Sequence, residues 1–392
     1  MKGILEMTMT TKNINLSRRN FLKTSASVAA GLVAFNMVKP AFAANVKVKK
    51  VNLLKLPTNP IEVAQNSELV QSAWDYLLKQ INSLHDTTLR APVLDLYKNT
   101  VPTFMSLYPT KDKVQAVYDK LLQNGLVDPK LTPIDKIFPP LKDLNTLPQP
   151  FFSAPGSGYA SHHSYPGGLV THTAVNVEIT KAIVETYSDI MEYDANYDIS
   201  VAGQLLHDLA KPWVFQWQQD GSSLPEYTIA GTGAHHVFSI AEVIFRGLPK
   251  DEIIAQACAH NHPGSPKDEA QVVGWIKAAA ILAGKDPIAL GLLSKDGKTL
   301  PTPHKHAGYI VHLGDHDFVL SVPVAKQSVE LLKAVAVKEY GFKDNELNTL
   351  KFNAFRNYIA AQYSFMRLHS EAANADDPNA TVASIAKTII SK

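Results

Sequence analysis

The sequence predicts an all-α protein, and three observations carry that expectation. Apolar residues return at three- and four-residue spacing along most of the chain, strand signals are confined to two short stretches, and no internal repeat is present. With 392 residues, 45% hydrophobic and 19% charged, the chain has enough apolar material for one large core or two modest ones. That balance excludes a disordered or collagen-like chain.

The first element is an address. Ser17, Arg18, Arg19, Asn20, Phe21, Leu22 and Lys23 precede a weakly apolar, small-residue run from Thr24 to Val38, which closes on Ala41, Phe42 and Ala43. A basic start, a short apolar stretch and an A-x-A site form a cleavable signal, and the arginine pair resembles a twin-arginine export signal. Cleavage is expected after Ala43; the alternative is an uncleaved anchor helix, which Pro40 opposes by ending the run short of about 20 residues. The resemblance implies a bacterial protein, periplasmic or otherwise exported, handled by the twin-arginine translocase. Residues 1–43 hold six of the 38 Lys and Arg and one of the 36 Asp and Glu. The remainder therefore carries 32 basic against 35 acidic residues, with no signal for nucleic acid. No later segment offers a membrane span.

From Ala44 to about Pro60 the chain reads as an extended lead-in. Val70, Trp74, Leu77, Leu78, Ile81 and Leu84 then mark one buried helical face, and two weaker helices precede a Pro-rich connector from Pro133 to Pro155. Helices are expected over Leu169–Ile190, Ile199–Leu209, Ala234–Gly247, Asp251–His260 and Ala270–Leu282. Leu347, Leu350, Ala354, Tyr358, Ala361, Phe365 and Leu368 predict a further helix of about six turns. The two strand signals are a hairpin within Gln216–Ile229 around Asp220-Gly221, and the β-branched run Tyr309–Leu313.

The chemistry lies in the histidines. Of fourteen, twelve fall between His162 and His316. The single cysteine, Cys258, excludes an internal disulfide, a CxxC pair and a cysteine-rich zinc module, so any metal must be held by His and carboxylates. His207 and Asp208 sit side by side near a helix end, a donor pair that suits Mn, Fe, Zn or Mg. Taken alone, a His-Asp dipeptide is a weak signal. His172, however, shares a helical stripe with Val175, Ile179 and Ile183, which aims its imidazole inward, where an unpaired polar group costs about 1–3 kcal/mol. An ordinary core hydrogen bond would satisfy one histidine. The same interior also receives His235 or His236, then His260 and His262, and Asp315 supplies a second carboxylate.

These stations resemble the HD-domain superfamily of metal-dependent phosphohydrolases. Gly167, Gly168 and Leu169 precede His172; His207, Asp208, Leu209, Ala210 and Lys211 match the signature; Ile310 to Asp315 looks like the last station. His162, His163, Ser164, Tyr165 and Pro166 are similar to the segment leading into the first ligand. The resemblance covers roughly residues 155–370. Ala210 stands where relatives usually have Gly, and His260-Asn261-His262 replaces a His pair. It implies a helical bundle with an N-terminal extension, divided as signal 1–43, helical region and connector 44–150, metal-dependent hydrolase domain 151–375 and helical tail 376–392.

It further implies two divalent ions. The first would lie on His172, His207, Asp208 and Asp315; the second on a bridging Asp208 with His236, or else His235, and with His260 or His262. Such a pair, about 3.5–4 Å apart, lowers the pKa of a water and clamps a phosphoryl oxygen. Lys211 would neutralise phosphate charge; the bland alternative is a solvated cation at a helix end. His162, His163, His235 and His312 stand as possible substrate contacts or alternative ligands. The implied activity is hydrolysis of a small phosphate mono- or diester, with a nucleotide as one such substrate. Two other classes stay open: a di-iron oxygenase acting on a small organic molecule, and a non-catalytic metal binder.

Other signals point elsewhere. Gly156-Ser157-Gly158 and Gly231-Thr232-Gly233 lack the Gly-Lys-Ser/Thr of a P-loop and are expected as flexible loops. His304 and His306 are expected in a solvent-exposed loop. Trp213, Phe215 and Trp217 are expected in the core, with one of them free to line a pocket, and Cys258 as an inert buried thiol.

Overall fold

The computed structural model describes residues 47–392 apart from 145 and 160; the signal segment and the Ala41–Ala43 cleavage site lie outside the described residues. Residues 47–392 form one compact unit, and it is all-α. The helices are α1 Pro60–Gln65, α2 Glu68–Ser83, α3 Thr87–Lys98, α4 Lys111–Gln123, α5 Gly168–Met191, α6 Tyr197–Leu206, α7 Lys211–Val214 and α8 Ala234–Arg246. They continue as α9 Lys250–Ala257, α10 Pro266–Leu282, α11 His306–Gly314, α12 Phe318–Tyr340, α13 Leu350–Tyr363, α14 Phe365–Ala373 and α15 Pro378–Ile389. Two-residue strands are the only sheet among the described residues. Val51–Asn52 (β1) pairs in parallel with Ile390–Ser391 (β4), and Thr228–Ile229 (β2) pairs antiparallel with Thr232–Gly233 (β3).

The periodic face predicted from Val70 to Leu84 is α2. Its N-cap Ser67 accepts from Val70 N at 3.0 Å, and Val70, Leu77 and Ile81 are fully buried. This helix packs on α5, and α5 in turn on α6 and α11. Gly167, which leads into α5, has φ +83° and lies so close to α2 that a Cβ would collide with the Val70 side chain. Only glycine satisfies both demands. Helix α6, buried on every side from Ser200 to Leu206, is central; α9 and α11 close around it. One core runs from Ala64 through this bundle to Leu300, and a second joins Val63 and Tyr165 to α12–α15.

Two expectations change. Tyr309–Leu313 is not a strand but part of α11, because its alternating look coincides with a helical face that buries Ala307, Ile310 and Val311. The six-turn helix near the C-terminus is interrupted at Ser364, where φ is +59° and the side chain caps α14 by accepting from Arg367 N at 3.1 Å. The hairpin around Asp220-Gly221 is present as a Trp217–Ser223 antiparallel bridge, while Thr228–Ile229 pairs onward with Thr232–Gly233.

Candidate metal centre

The bundle geometry delivers side chains from five places to one point. His172 comes from the second turn of α5. His207 and Asp208 follow the last residue of α6, His235 and His236 lie in the first turn of α8, His260 follows α9, and Asp315 caps α11. His172, His207, Asp208 and Asp315 are buried.

Asp208 divides its oxygens between two groups. Its Oδ2 faces His172 Nε2 at 3.0 Å, His207 Nε2 at 3.1 Å and Lys211 Nζ at 2.5 Å; its Oδ1 faces His235 Nε2 at 3.3 Å and His260 Nε2 at 3.7 Å. Asp315 divides in the same way, with Oδ1 at 3.2 Å from His207 Nε2 and Oδ2 at 3.4 Å from His260 Nε2. The centre therefore has an inner half, His172 and His207, and an outer half, His235, His236 and His260, joined by two carboxylates.

The chemistry of these donors fits a cation. His207 Nδ1 lies 2.7 Å from Gln204 O, so that nitrogen carries the proton and Nε2 turns a lone pair toward the carboxylates. His207 Nε2 and both Asp208 oxygens are buried without hydrogen-bond geometry to any partner. Lone pairs converging in this way require positive charge between or upon them. Groups able to share one ion are His172–His207–Asp315, His207–Asp208–His260 and His235–His236–His260, each with donor atoms within 4.8 Å of one another. A fourth, His163–His172–Asp317, adjoins them.

Without an ion, the demand for positive charge falls on His207 itself, which takes a second proton. Burial draws His207 down, but Asp208 and Asp315 outweigh it and push the imidazole up to about 10. Burial tends to raise Asp208; His207 and Lys211 reverse that and hold it well below the carboxylate range. Asp315 is lowered for the same reason, burial being overcome by His207. Burial, aided by Lys211, draws His172 down to about 4, and burial draws His260 down to about 3. Burial, with His172 next, draws His162 down to about 2, so that ring is neutral.

Three supporting residues escaped the sequence reading. Glu226 Oε1 accepts from His235 N at 2.9 Å and from His235 Nδ1 at 2.5 Å, which leaves His235 Nε2 for Asp208. Gly233 makes room for it, since a Cβ there would lie 2.5 Å from Glu226 Oε2. Asn176, one turn beyond His172, donates to Asp315 Oδ1 at 2.7 Å. Asp317 Oδ2 pairs with His163 Nε2 at 3.1 Å. Asn176 could have been found, because it lies at i+4 from His172 on the same buried stripe; Glu226 and Asp317 give no periodic signal.

The remaining candidates sort by position. His236 is held through Nδ1 by Thr232 Oγ1 at 2.5 Å and stacks on His260, so both members of the His235-His236 pair reach the outer half. His262 stands apart: its Nδ1 accepts from Gly264 N at 2.9 Å, and its ring meets His312, which itself lies 3.0 Å from Ala259 O through Nδ1. Lys211 is no solvated helix-end cation; it is 3% exposed and bonds Gly156 O and Asp208. The Gly156 loop is likewise packed, not open, for a Cβ on Gly156 would lie 2.6 Å from His163 Cβ. His304, in the loop but half-buried, pairs with Glu269 at 2.9 Å; His306 is exposed as expected, but it opens α11 and stacks on Tyr193. Of the aromatic trio, Trp213 and Phe215 are buried, and Phe215 lies 5.5 Å from the His235 ring. Cys258 is buried and its thiol is pushed up to about 12 by burial.

Two comparisons with known proteins found a match. Residues 15–34 match the family model of the twin-arginine translocation pathway signal sequence, which directs the chain to export through that pathway and its translocase. No helix among the described residues is long and apolar enough to cross a membrane. The chain is similar to a dihydroneopterin 2',3'-cyclic phosphate phosphodiesterase of Methanocaldococcus jannaschii, 29% identical over 115 residues. That match covers 29% of this chain and 45% of the relative, so the chain spans less than half of that relative's length. No solved structure matches.

Proposed function

We propose that the chain is an exported HD-type hydrolase that cleaves a small phosphate ester in the periplasm. The observation that carries this reading is the paired centre, in which Asp208 and Asp315 each turn one oxygen to an inner and one to an outer set of histidines. The similarity to a cyclic phosphate phosphodiesterase supports the substrate class and favours a diester.

In this reading His172, His207, Asp208 and Asp315 hold an inner divalent ion, and Asp208, Asp315, His260 and His235 or His236 hold an outer one. When bound, such ions polarise a phosphoryl oxygen and lower the pKa of a water. The chain's own groups prepare the site. Gln204 O fixes the His207 tautomer, Glu226 fixes that of His235, and burial keeps both rings in place. Lys211 donates to Gly156 O and forms an ion pair with Asp208 Oδ2, which orients that carboxylate; a remaining N–H is left for an oxygen of the phosphate.

The test is turnover of aryl phosphate mono- and diesters by the purified exported protein, without oxygen, with Mn or another divalent ion supplied. Cleavage is expected. No cleavage, together with oxygen consumption by an iron-loaded sample acting on an organic substrate, would replace this reading by an oxygenase.

A further inference from the structure

Residues 156–159 and 161–167 form a loop that closes one side of the centre, and it is clamped from several directions. Gly156 N donates to His163 O at 2.9 Å, and Gly168 N donates to Tyr165 O at 2.8 Å. The buried Arg356 of α13 donates from Nη2 to Ser164 O at 3.0 Å and to Ser164 Oγ at 2.8 Å, with its guanidinium over the Tyr159 ring. Two adjacent histidines on this loop have opposite fates. His163 uses both nitrogens, one on Tyr165 Oη at 3.3 Å and one on Asp317 Oδ2 at 3.1 Å. His162 is only 8% exposed, and neither of its nitrogens has a partner.

A buried imidazole with both nitrogens unmet is destabilising, so a residue kept merely to fill space would be apolar. The His162 ring stacks on the ring of His172, with centroids 5.0 Å apart, and phenylalanine would stack as well. Ion ligation does not account for it. The convergent donor groups among the described residues take in His163, His172, His207, His235, His236 and His260, but not His162. A group that borders the centre, keeps a free N–H and is not placed to share an ion is placed for whatever else enters the centre.

We propose that His162 belongs to a phosphate subsite, its ring N–H donating to a non-bridging phosphoryl oxygen on the His172 side of the centre. The inference rests on the phosphate-ester reading above. Each non-bridging phosphoryl oxygen offers more than one lone pair, so acceptor capacity remains beyond the ions and the spare Lys211 donor, and an N–H held rigidly by a clamped loop meets such an oxygen with little loss of entropy.

The decisive variant is His162→Phe in the metal-loaded protein, with His162→Ala beside it in case the larger ring does not fit. Inorganic phosphate is the probe, its affinity measured by calorimetry alongside metal content, melting temperature and ester turnover. The expected result is wild-type metal content and an undiminished melting temperature for at least one variant, with phosphate bound about 10- to 100-fold more weakly and KM raised more than kcat is lowered. Unchanged phosphate affinity, or loss of metal, would overturn the subsite. If the wild-type protein binds phosphate through His162 but cleaves no ester, the hydrolase reading falls and the subsite stands. If it cleaves esters and both variants do so equally well, the subsite alone falls.

Discussion

The inner and outer halves of the centre are built from the same residue types but held by different means. The inner histidines, His172 and His207, are fully buried and oriented by the bundle itself, His207 through a main-chain carbonyl one turn back. In the outer half, His260 keeps 19% side-chain exposure, and its neighbours are oriented by side chains of the β2–β3 region, Glu226 on His235 and Thr232 on His236. A carbonyl inside a helix can move only if the helix does, whereas a carboxylate on a connecting segment can be lost without disturbing the core. Under the two-ion reading proposed above, the inner half would be the stronger and less adjustable site, and the outer half the one that side-chain changes tune.

The largest effect is expected where the halves meet. Asp208→Ala removes the carboxylate that both share, and should strip metal from both and abolish ester cleavage, as elemental analysis and turnover would show. His304→Ala, whose imidazole pairs with Glu269 and belongs to no convergent group, should leave metal content unchanged. Equal metal in the two variants would mean that the centre lies elsewhere.

Glu226→Gln sharpens the contrast between the halves. It leaves the hydrogen-bonded shape but weakens the hold on the His235 tautomer, so affinity for the outer ion should drop by about 10- to 100-fold while the inner ion stays. Metal titration of the stripped protein would resolve two classes of site in the wild type, with only the weaker one shifted in the variant. A shift of both classes would show that the halves do not act separately.

The same contrast explains what the sequence made legible. His172, His207 and Asp208 sit at positions where helical periodicity or a helix end announces which way a side chain points; Asp315 is reached through the family resemblance, because the helix it caps reads as a strand, and all four converge in the inner half. In the outer half, His235 and His236 share the first turn of α8 and both reach the centre, whereas the choice between His260 and His262 turns on the loop conformation after α9, which periodicity does not encode. The structure brings His260 to Asp208 and Asp315 and leaves His262 on the His312 ring. Glu226, Asp317 and Arg356 were invisible because their partners lie on other elements. The strand expected at Tyr309–Leu313 failed for a related reason: five residues are too few to separate a period of 2 from one of 3.6 when both faces are partly buried.

The smallest effect on the centre is expected from Glu252, which lies at the start of the helix whose far end leads to His260. Asp208 and Asp315 are buried beside His207 and stay ionised. Glu252 is equally buried, but both its oxygens lack partners and burial alone pushes its carboxyl up to about 8, from an ordinary 4.5. Between pH 4.5 and 8 the folded protein therefore holds a proton that the unfolded chain has released. Its contribution to stability is complete below the lower value, and declines as pH rises toward the upper one. Glu252→Gln keeps the shape and removes the titration. It should match the wild type near pH 5 and exceed it by on the order of a few kcal/mol near pH 8, measured by denaturant unfolding at both values, with metal content unchanged at both. An equal advantage at the two pH values would show that Glu252 is ionised in the fold and has a partner, and loss of metal would tie it to the outer half after all.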